Sequence, residues 1–341
     1  MTKTLMAQEI DEIPAVVQRL LSASDRSILC AGTALALADP QLLVTVARGS
    51  SDHAAAFLKY IVELYGGIPV ASVGPSVASI YHRSLQLSGA ACIGISQSGQ
   101  SPDIVGMMQS AAASGALTLA MTNHLGSPLA ASVEHAIGLG AGPEKSVAAT
   151  KTFVASLVVG LALTARWRGV APLGAVLANL PDILAQAIAL NWSPLSARLV
   201  GAQSLYVLGR GPSYAIACEA ALKAKETCGL QAEAYSAAEV LHGPAAIVGR
   251  DFPVLVLAVD DESLPQTLAT AQRLVGQGAD VFVTGHHVEG ATMLPMLAGL
   301  HPAIAPLAQI VAWYRCVEDL ARQRGFAPDH PPHLRKVTET V

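Results

Sequence analysis

Short runs of apolar residues alternate along the chain with longer segments of helical periodicity. Within these runs, apolar positions do not alternate with polar ones, as they would in a strand exposed on one face. Such runs are typical of strands buried on both faces of a parallel sheet. The pattern therefore predicts an α/β fold in which helices cover the sheet. The predicted strands are Leu43–Ala47, Ala91–Ile95, Ala116–Ala120, Leu205–Leu208, Val254–Ala258 and Val281–Thr284.

The pattern occurs twice in the chain. Segment 48–51 reads RGSS, and segment 210–213, 162 positions later, reads RGPS. At the same offset the run 92–96 falls on the run 254–258, and the next strand follows at an offset of 163. Three successive elements at one spacing predict two homologous α/β domains.

The joint between the two domains is expected near the sequence NWSP at 191–194, after a helix from about Leu173 to Leu190. The predicted domains are 1–190, an N-terminal helix with the first α/β domain, and 191–325, the second α/β domain. Residues 326–341 form a tail rich in proline and histidine, which should be irregular at least as far as Pro332.

Composition adds an expectation about assembly. Hydrophobic residues make up 52% of the chain and charged residues 13%, against about 25% charged residues in typical soluble proteins. So little charge leaves few side chains to cover a fully hydrated surface. Part of the surface is therefore expected to be covered by another subunit, most simply in a homodimer.

Charge and cysteine usage exclude several classes of protein. The net charge of −4, without a basic tract, argues against a nucleic-acid partner. The N-terminus carries acids where a signal peptide has an apolar core, and the apolar stretch Phe153–Ala165 is shorter than the roughly 20 residues that cross a bilayer. We therefore expect no membrane partner. Scattered cysteines without a CxxC pair are typical of reduced thiols in the cytoplasm.

The segment ISQSGQSPD, 95–103, is the most informative motif. It follows a buried strand and leads into a helix opened by Pro102 and Asp103. Its hydroxyls and the free backbone N–H groups at the helix N-terminus suit a phosphate group. A serine-rich turn with a helix cap is the alternative interpretation. The position at the carboxyl end of a parallel strand favours ligand binding, and segment 48–51, with Ser50 and Ser51, is expected to form a second side of the site.

A second motif spans 219–244 and reads EAALKAKETCGLQAEAYSAAEVLHGP. Glu219, Lys223 and Glu226 are spaced to share one helix face. A solvated salt-bridge face is the alternative, but three charges on one stripe are unusual in a chain so poor in charge. His242 follows in a turn where it can carry a proton.

The other histidines show no metal-ligand spacing, so we expect no catalytic metal and no cofactor. In a third segment, AGPEKSVAATKTF (141–153), Pro143 and Glu144 precede a long helix. This is either a plain helix start or a place where Glu144 and Val147 face a ligand.

Together, ARGSS, ISQSGQSPD, GPEKSVAATKTF, LGRGPSYAIACEAALKAKE, EAYSAAEVLHGP and the terminal HLRKVTETV resemble the SIS (sugar isomerase) family. The resemblance runs from about residue 10 to 341. It is to the two-domain isomerase half of glutamine–fructose-6-phosphate aminotransferase and, in the SPD and PEKSVAATK segments, to stand-alone glucosamine-6-phosphate deaminases. The sequence departs from the family at Arg48, where the family has cysteine, and at Ala149, where it has serine. No glutaminase domain is expected in a chain of this length.

The resemblance implies two flavodoxin-like SIS domains, each with a five-stranded parallel sheet flanked by helices. It implies that Glu226 moves a proton between C1 and C2 of the sugar, next to Lys223, and that His242 assists ring opening from the neighbouring subunit. Lys336 of the tail completes the active site and can form a Schiff base with the open-chain ketose. The implied phosphate ligands are Ser51, Ser96, Gln97, Ser98 and Ser101.

The function implied is deamination of glucosamine 6-phosphate to fructose 6-phosphate and ammonia. One alternative is an isomerase or synthase that runs in reverse with free or partner-supplied ammonia. The other is a non-catalytic module that senses sugar phosphates. The preferred hexosamine epimer, an allosteric effector and the role of Arg48 stay open at this point.

Overall fold

The computed structural model describes residues 3–336, and its regular elements alternate between strands and helices as the sequence predicts. The strands are β1 (Leu43–Val46), β2 (Val70–Ser72), β3 (Ala91–Ser96), β4 (Leu117–Thr122), β5 (His135–Gly138), β6 (Ser204–Gly209), β7 (Gln231–Ser236), β8 (Pro253–Val256), β9 (Asp280–Thr284) and β10 (Thr292–Leu294). The helices are α1 (Leu5–Ala23), α2 (Asp25–Ala38), α3 (Ser50–Ile61), α4 (Ser76–Ser79), α5 (Pro102–Ala113), α6 (Pro128–Ala131), α7 (Lys151–Arg168), α8 (Ala171–Leu177), α9 (Leu180–Ile188), α10 (Ser193–Leu199), α11 (Pro212–Cys228), α12 (Leu264–Gly276) and α13 (Ala305–Gln323).

The strands form two five-stranded sheets with the same topology. The first has the order β2-β1-β3-β4-β5 and the second β10-β9-β8-β6-β7, and every pair of neighbours is parallel. Counted within each sheet, both have the order 2-1-3-4-5 of the flavodoxin-like fold. The predicted α/β class, with two parallel five-stranded sheets flanked by helices, is confirmed.

The described residues divide into two compact units, each built around one sheet. The first-sheet unit comprises residues 15–144, 151–179 and 335–336. The second-sheet unit comprises residues 3–14, 145–150 and 180–334. The domain boundaries expected at 190 and 325 stay predictions.

The core of each unit lies between its sheet and the helices on it. In the first-sheet unit Val44, Cys92 and Met108 pack together, and in the second Leu208, Val254 and Leu274 do so. Burying such a side chain stabilises the fold by about 1.5–3 kcal/mol. The inner strands of each sheet are buried because both faces are covered, which is why their sequences lack polar alternation. The outer strands β2, β5, β7 and β10 are only partly buried.

The helix expected from Leu173 to Leu190 is two helices, α8 and α9, so that expectation is wrong in its continuity. Pro181 lies in the first turn of α9. A proline is tolerated there because the N–H it lacks has no partner in a first turn, but inside a longer helix it would break a hydrogen bond. The tail is irregular from residue 325 to 336, as predicted.

Candidate functional site

In the first-sheet unit, the predicted phosphate ligands lie at the carboxyl ends of β1 and β3. These two strands are neighbours, and the strand order reverses between them, which is where open α/β sheets bind ligands. Ser50 and Ser51 begin α3, and the loop 96–101 leads into α5, so two helix N-termini start at this edge. Ser96 is buried, whereas Gln97, Ser98 and Ser101 are partly exposed. The structure therefore brings this group of predicted residues to one sheet edge.

Hydrogen bonds fix the loop that follows β3. The backbone N–H of Gly99 donates to Ser96 Oγ at 3.1 Å, and that of Gln100 donates to Ser98 Oγ at 3.3 Å. The carbonyl of Gln97 accepts the N–H of Asn123 at 3.1 Å. A loop held in this way has its shape before a ligand arrives, which lowers the entropic cost of binding.

Two glycines are required by the backbone at this edge. Gly49, which precedes α3, has φ 54° and ψ −133°, a conformation that is essentially open only to glycine. Gly99 has φ 63°, and a Cβ there would lie 2.2 Å from Ser127 Oγ. The glycine of the SQSG motif thus allows the loop to pack closely over Ser127.

The structure gives Arg48 a role that the sequence left open. Its guanidinium donates from Nε and Nη2 to Asp103 Oδ2, at 3.1 and 3.0 Å. The Asp103 side chain is fully buried, and that of Arg48 is 49% exposed. The ion pair neutralises the Asp103 carboxylate in the first turn of α5. Without Arg48, this carboxylate would repel any anion near the helix N-terminus.

In the second-sheet unit, Glu219, Lys223 and Glu226 form a cluster along α11. Lys223 Nζ lies 3.4 Å from Glu219 Oε1 and forms an ion pair with Glu226. The side chains of Glu219 and Lys223 are 0% and 1% exposed, whereas that of Glu226 is 21% exposed. The solvated salt-bridge interpretation of this stripe is therefore wrong. Glu226 alone of the three is partly exposed, and it lines a cavity of about 370 Å³.

The charge of Lys223 is set by two opposing effects. Burial lowers the pKa of its amine, but the carboxylates of Glu219 and Glu226 raise it by more, so that the pKa lies above its ordinary value. Lys223 is therefore an ammonium near neutral pH. A buried ammonium beside Glu226 holds that carboxylate in place through the ion pair.

His242 is exposed at the end of a single turn of 3₁₀ helix, Glu239–His242. The next residue, Gly243, has φ 146°. The chain after it is held by Tyr206, whose hydroxyl donates to the carbonyl of Pro244 at 3.3 Å. The histidine is thus presented outward on a short anchored segment.

The third motif also has a defined structure. The buried Glu144 carboxylate accepts the backbone N–H of Thr152 at 3.1 Å and the Thr152 hydroxyl at 2.6 Å. The ammonium of Lys336 lies 3.1 Å from Glu144 Oε2. Val147 lies in the second-sheet unit, where its N–H donates to the carbonyl of Asp329 at 3.4 Å. Glu144 and Lys336 are thus brought together within the first-sheet unit.

Sequence reasoning missed three residues that shape these sites: Asp103 as the partner of Arg48, Thr152 as the partner of Glu144, and Tyr314, which hydrogen-bonds Glu219. The only available signal for Asp103 was an acid in the first turn of a helix, which dipole arguments explain equally well. Tyr314 carries no local signal, because it lies 95 residues from its partner.

Residues 3–336 contain no group of three or more His, Cys, Asp or Glu residues that could hold a metal ion. No single helix in this range is long and apolar enough to cross a membrane. Two bent helix pairs, α1 with α2 and α8 with α9, reach that length and apolarity only when each pair is taken together.

Comparison with known proteins places this geometry in a family. The chain is 31% identical over 344 residues to a glutamine–fructose-6-phosphate aminotransferase (isomerizing) of Methanothermobacter thermautotrophicus. The match covers 97% of the chain and 56% of that relative, so the chain spans little more than half the relative's length.

Two solved structures share the fold. A proposed phosphosugar isomerase from Silicibacter pomeroyi DSS-3 is 48% identical, with a TM-score of 0.93, over 96% of this chain and 100% of that one. A glucosamine-6-phosphate deaminase from Thermotoga maritima is 20% identical, with a TM-score of 0.77, over 99% and 100% of the two chains. At that identity the second likeness is one of fold alone. The SIS domain family model matches residues 36–166 and 198–284, one segment for each sheet. The chain belongs to the SIS domain family.

Proposed function

We propose that the protein is an amino-sugar-phosphate deaminase/isomerase that converts glucosamine 6-phosphate and water to fructose 6-phosphate and ammonia. One observation carries the proposal: within the cluster of Glu219, Lys223 and Glu226, Glu226 alone is partly exposed, and the buried Lys223 ammonium forms an ion pair with it. A carboxylate fixed in this way can take a proton from one carbon and return it to the next.

The reaction proceeds on the open-chain sugar. His242, acting from the neighbouring subunit, carries the proton that opens the ring. Glu226 removes the proton from C2 of the aldehyde, and the electron pair forms a C1–C2 enol as the C1 oxygen gains a proton. Glu226 then returns a proton to C1, which leaves an imine at C2. Water adds to C2, the C2–N bond breaks, and ammonia leaves with fructose 6-phosphate.

Phosphate binding is assigned to Ser51, Ser96, Gln97, Ser98 and Ser101. The prearranged loop after β3 and the helix N-termini at the same sheet edge support this assignment. Binding the phosphate, far from C1 and C2, supplies energy and orientation without taking part in the chemistry. Ser50 and Arg48 complete the edge, the latter by neutralising Asp103.

Lys336 is assigned to a Schiff base with the ketose. Its ammonium is held by Glu144, so the amine must lose a proton and leave this ion pair before it can attack a carbonyl. Glu144 and Val147 are assigned to contacts with the ligand, Glu144 through the lysine that it holds.

The experiment follows ammonia and fructose 6-phosphate after the protein is mixed with glucosamine 6-phosphate. Glu226→Gln should lower kcat about 10³-fold, in the range of general acid–base catalysis, and should retain binding of fructose 6-phosphate by calorimetry. Glu262→Gln, on an exposed turn of the same unit, is the matched control and should keep full activity. No turnover of any hexosamine 6-phosphate by the unaltered protein would overturn the proposal.

The reverse direction is the second candidate, and the 31% identity to an aminotransferase favours it. The same groups would make glucosamine 6-phosphate from fructose 6-phosphate and ammonia. The equilibrium constant fixes the ratio of the two rates, so the deciding test is whether a glutamine-hydrolysing partner added to the protein makes synthesis of glucosamine 6-phosphate depend on glutamine. If hexose phosphates raise the melting temperature and neither direction shows turnover, the protein is a sugar-phosphate sensor.

A homodimer with shared active sites is part of the proposal, since His242 is assigned to the neighbouring subunit. Light scattering should give a mass near 70 kDa, twice the 35.1 kDa of one chain. Mixing inactive His242→Ala with inactive Glu226→Gln should restore activity, because a mixed dimer holds one site with both groups intact. Failure of the mixture, with subunit exchange shown, would place His242 in its own subunit's site.

A further inference from the structure

The cluster along α11 contains a carboxylate that the proposed chemistry does not use. Glu219 is fully buried, and its carboxylate lies 3.4 Å from the Lys223 ammonium. Removing a carboxylate from water costs several kcal/mol even after relaxation. Lys223 already has Glu226 as a counter-ion, so charge neutrality does not require the second acid.

Glu219 has a partner on another helix. The hydroxyl of Tyr314, on α13, donates to Glu219 Oε1 at 3.2 Å. Tyr314 is itself fully buried, and the adjacent Trp313 donates its indole N–H to the carbonyl of Ala220 at 3.1 Å. Two neighbouring residues of α13 therefore contact two neighbouring residues of α11, one through a carboxylate and one through the backbone.

The contacts run in series from Tyr314 through Glu219 and Lys223 to Glu226. Tyr314 donates to Glu219, Glu219 faces the ammonium, and Lys223 donates to Glu226. The two carboxylates compete for a single ammonium. A hydrogen bond from Tyr314 satisfies part of the charge of Glu219 and so weakens the pull of Glu219 on the ammonium.

We propose that Tyr314 is a positioning residue for Glu226, acting through Glu219 and Lys223. By donating to Glu219, it leaves the Lys223 ammonium on the Glu226 side of the cluster, where it fixes the carboxylate that faces the substrate. Without the hydroxyl, Glu219 draws the ammonium toward itself and Glu226 loses its orientation. This inference rests on the proposed role of Glu226 in proton transfer.

The kinetic experiment compares Tyr314→Phe with Trp313→Phe. Each variant removes one donor between α13 and α11, but only the first touches the charged cluster. Tyr314→Phe should lower kcat about ten-fold with KM within two-fold of the original, whereas Trp313→Phe should keep kcat. Adding Glu219→Gln to Tyr314→Phe should restore part of the lost kcat, because a neutral amide no longer competes for the ammonium.

A readout without substrate separates this inference from the proposed function. In nitrogen-15 NMR the Lys223 ammonium signal, assigned by its absence in Lys223→Met, should exchange with water at least ten-fold faster in Tyr314→Phe than in Trp313→Phe. If the original protein turns over no hexosamine phosphate, the proposed function fails and the exchange rates alone decide the inference. Equal exchange rates in the two variants, or equal losses of kcat, would overturn it.

Discussion

The two sheets are built on one plan, and they differ in the side chains at the carboxyl ends of their strands. β3 and β8 begin 162 positions apart, as do α3 and α11, and α5 and α12. The glycines before α3 and α11 have nearly the same conformation, φ 54° and ψ −133° for Gly49 against φ 59° and ψ −136° for Gly211. The backbone of both sheets therefore provides the same edge.

The side chains at that edge differ. Ser51 and Ser96 of the first sheet correspond, 162 positions later, to Ser213 and Ala258. In the second sheet the amide of Gln309 enters from α13. Its Oε1 accepts Ser213 Oγ at 2.9 Å, and its Nε2 donates to the Ala258 carbonyl at 2.7 Å and to Thr284 Oγ1 at 3.1 Å.

The comparison shows that the fold supplies the same edge twice and that Gln309 fills the second one. In the first sheet the loop 96–101 has partly exposed serines. In the second, the buried Gln309 amide hydrogen-bonds the polar groups at the corresponding edge. The edge of the first sheet is thus open, and that of the second is filled by Gln309.

Closing the open edge of the first sheet should have the largest effect, and the effect should be on ligand affinity. Gly99→Ala places a methyl 2.2 Å from Ser127 Oγ at a positive φ, so the loop must move. We expect the affinity for fructose 6-phosphate, measured by calorimetry, to fall more than about 100-fold, which is about 2.7 kcal/mol. Gly106→Ala in α5, where a methyl meets nothing within 4 Å, should keep binding and stabilise the helix by about 0.5–1 kcal/mol. Unchanged affinity of Gly99→Ala would show that the loop is not the phosphate site.

Removing the Gln309 amide from the edge of the second sheet should lower the free energy of unfolding. Gln309→Leu removes three hydrogen bonds and leaves the Ala258 carbonyl buried without that donor, so we expect a loss of about 3 kcal/mol in the free energy of unfolding. Urea denaturation measures it. The control is Gln272→Leu, an exposed residue with one hydrogen bond to the Glu289 carbonyl, for which the change should stay within about 0.5 kcal/mol. Equal losses would mean that Gln309 does not hold the second edge together.

The arginines at the two edges should also separate the two sheets. Arg48→Met leaves the buried Asp103 carboxylate without its guanidinium and should cost about 2 kcal/mol, the scale of hydrogen bonds to a charged group. Arg210 lies 162 positions later, and Pro265 stands where the first sheet has Asp103. Arg210→Met should therefore change unfolding in urea very little. Asp103→Asn combined with Arg48→Met should recover part of the loss; a loss larger than that of Arg48→Met alone would contradict the ion-pair explanation.

The smallest expected difference concerns the thiols. Burial raises the pKa of Cys92 in the first sheet to about 12 and that of Cys228 on α11 to about 11, from 9.0. Cys30 is exposed. At pH 8 a disulfide reagent should label Cys30 rapidly and the other two only as fast as the protein opens, because the thiolate is the reactive form.

The same shifts set a pH dependence for stability. The unfolded thiols ionise near pH 9.0, whereas the folded ones keep their protons to higher pH, so the unfolded state is increasingly favoured as the pH rises above 9. Cys228→Ala should flatten this decline in urea denaturation between pH 9 and 11. A decline of the same slope in this variant would show that other groups cause it.

The local sequence predicted the structural features that depend on residues close together in the chain. The six inner strands were predicted to within two residues at each end because runs without polar alternation mark burial on both faces. The four outer strands, β2, β5, β7 and β10, were not located from the pattern because they are only partly buried. The start of α5 was predicted from Pro102, and the edge serines followed from their place after a strand. The catalytic and binding roles of these residues stay predictions.

Contacts between distant segments could not be predicted in this way. Ser213 and Gln309 are 96 residues apart, and Tyr314 and Glu219 are 95 apart. The sequence around a glutamine or a tyrosine on an apolar helix gives no signal of the distant residue that it will contact. The partner of Arg48 could not be predicted either, because only the fold brings the buried Asp103 carboxylate next to its guanidinium.

The hydrogen bonds at the start of α1 have a consequence for biosynthesis. The backbone N–H groups of Leu5 and Met6 donate to the Asp329 carboxylate, each at 2.8 Å, and the second-sheet unit also takes in residues 145–150. Leu5 and Asp329 are 324 residues apart, so the ribosome adds Asp329 long after Leu5. The helix cap must wait until Asp329 has left the exit tunnel, so the second-sheet unit finishes folding late and through contacts of very high sequence separation, which close slowly.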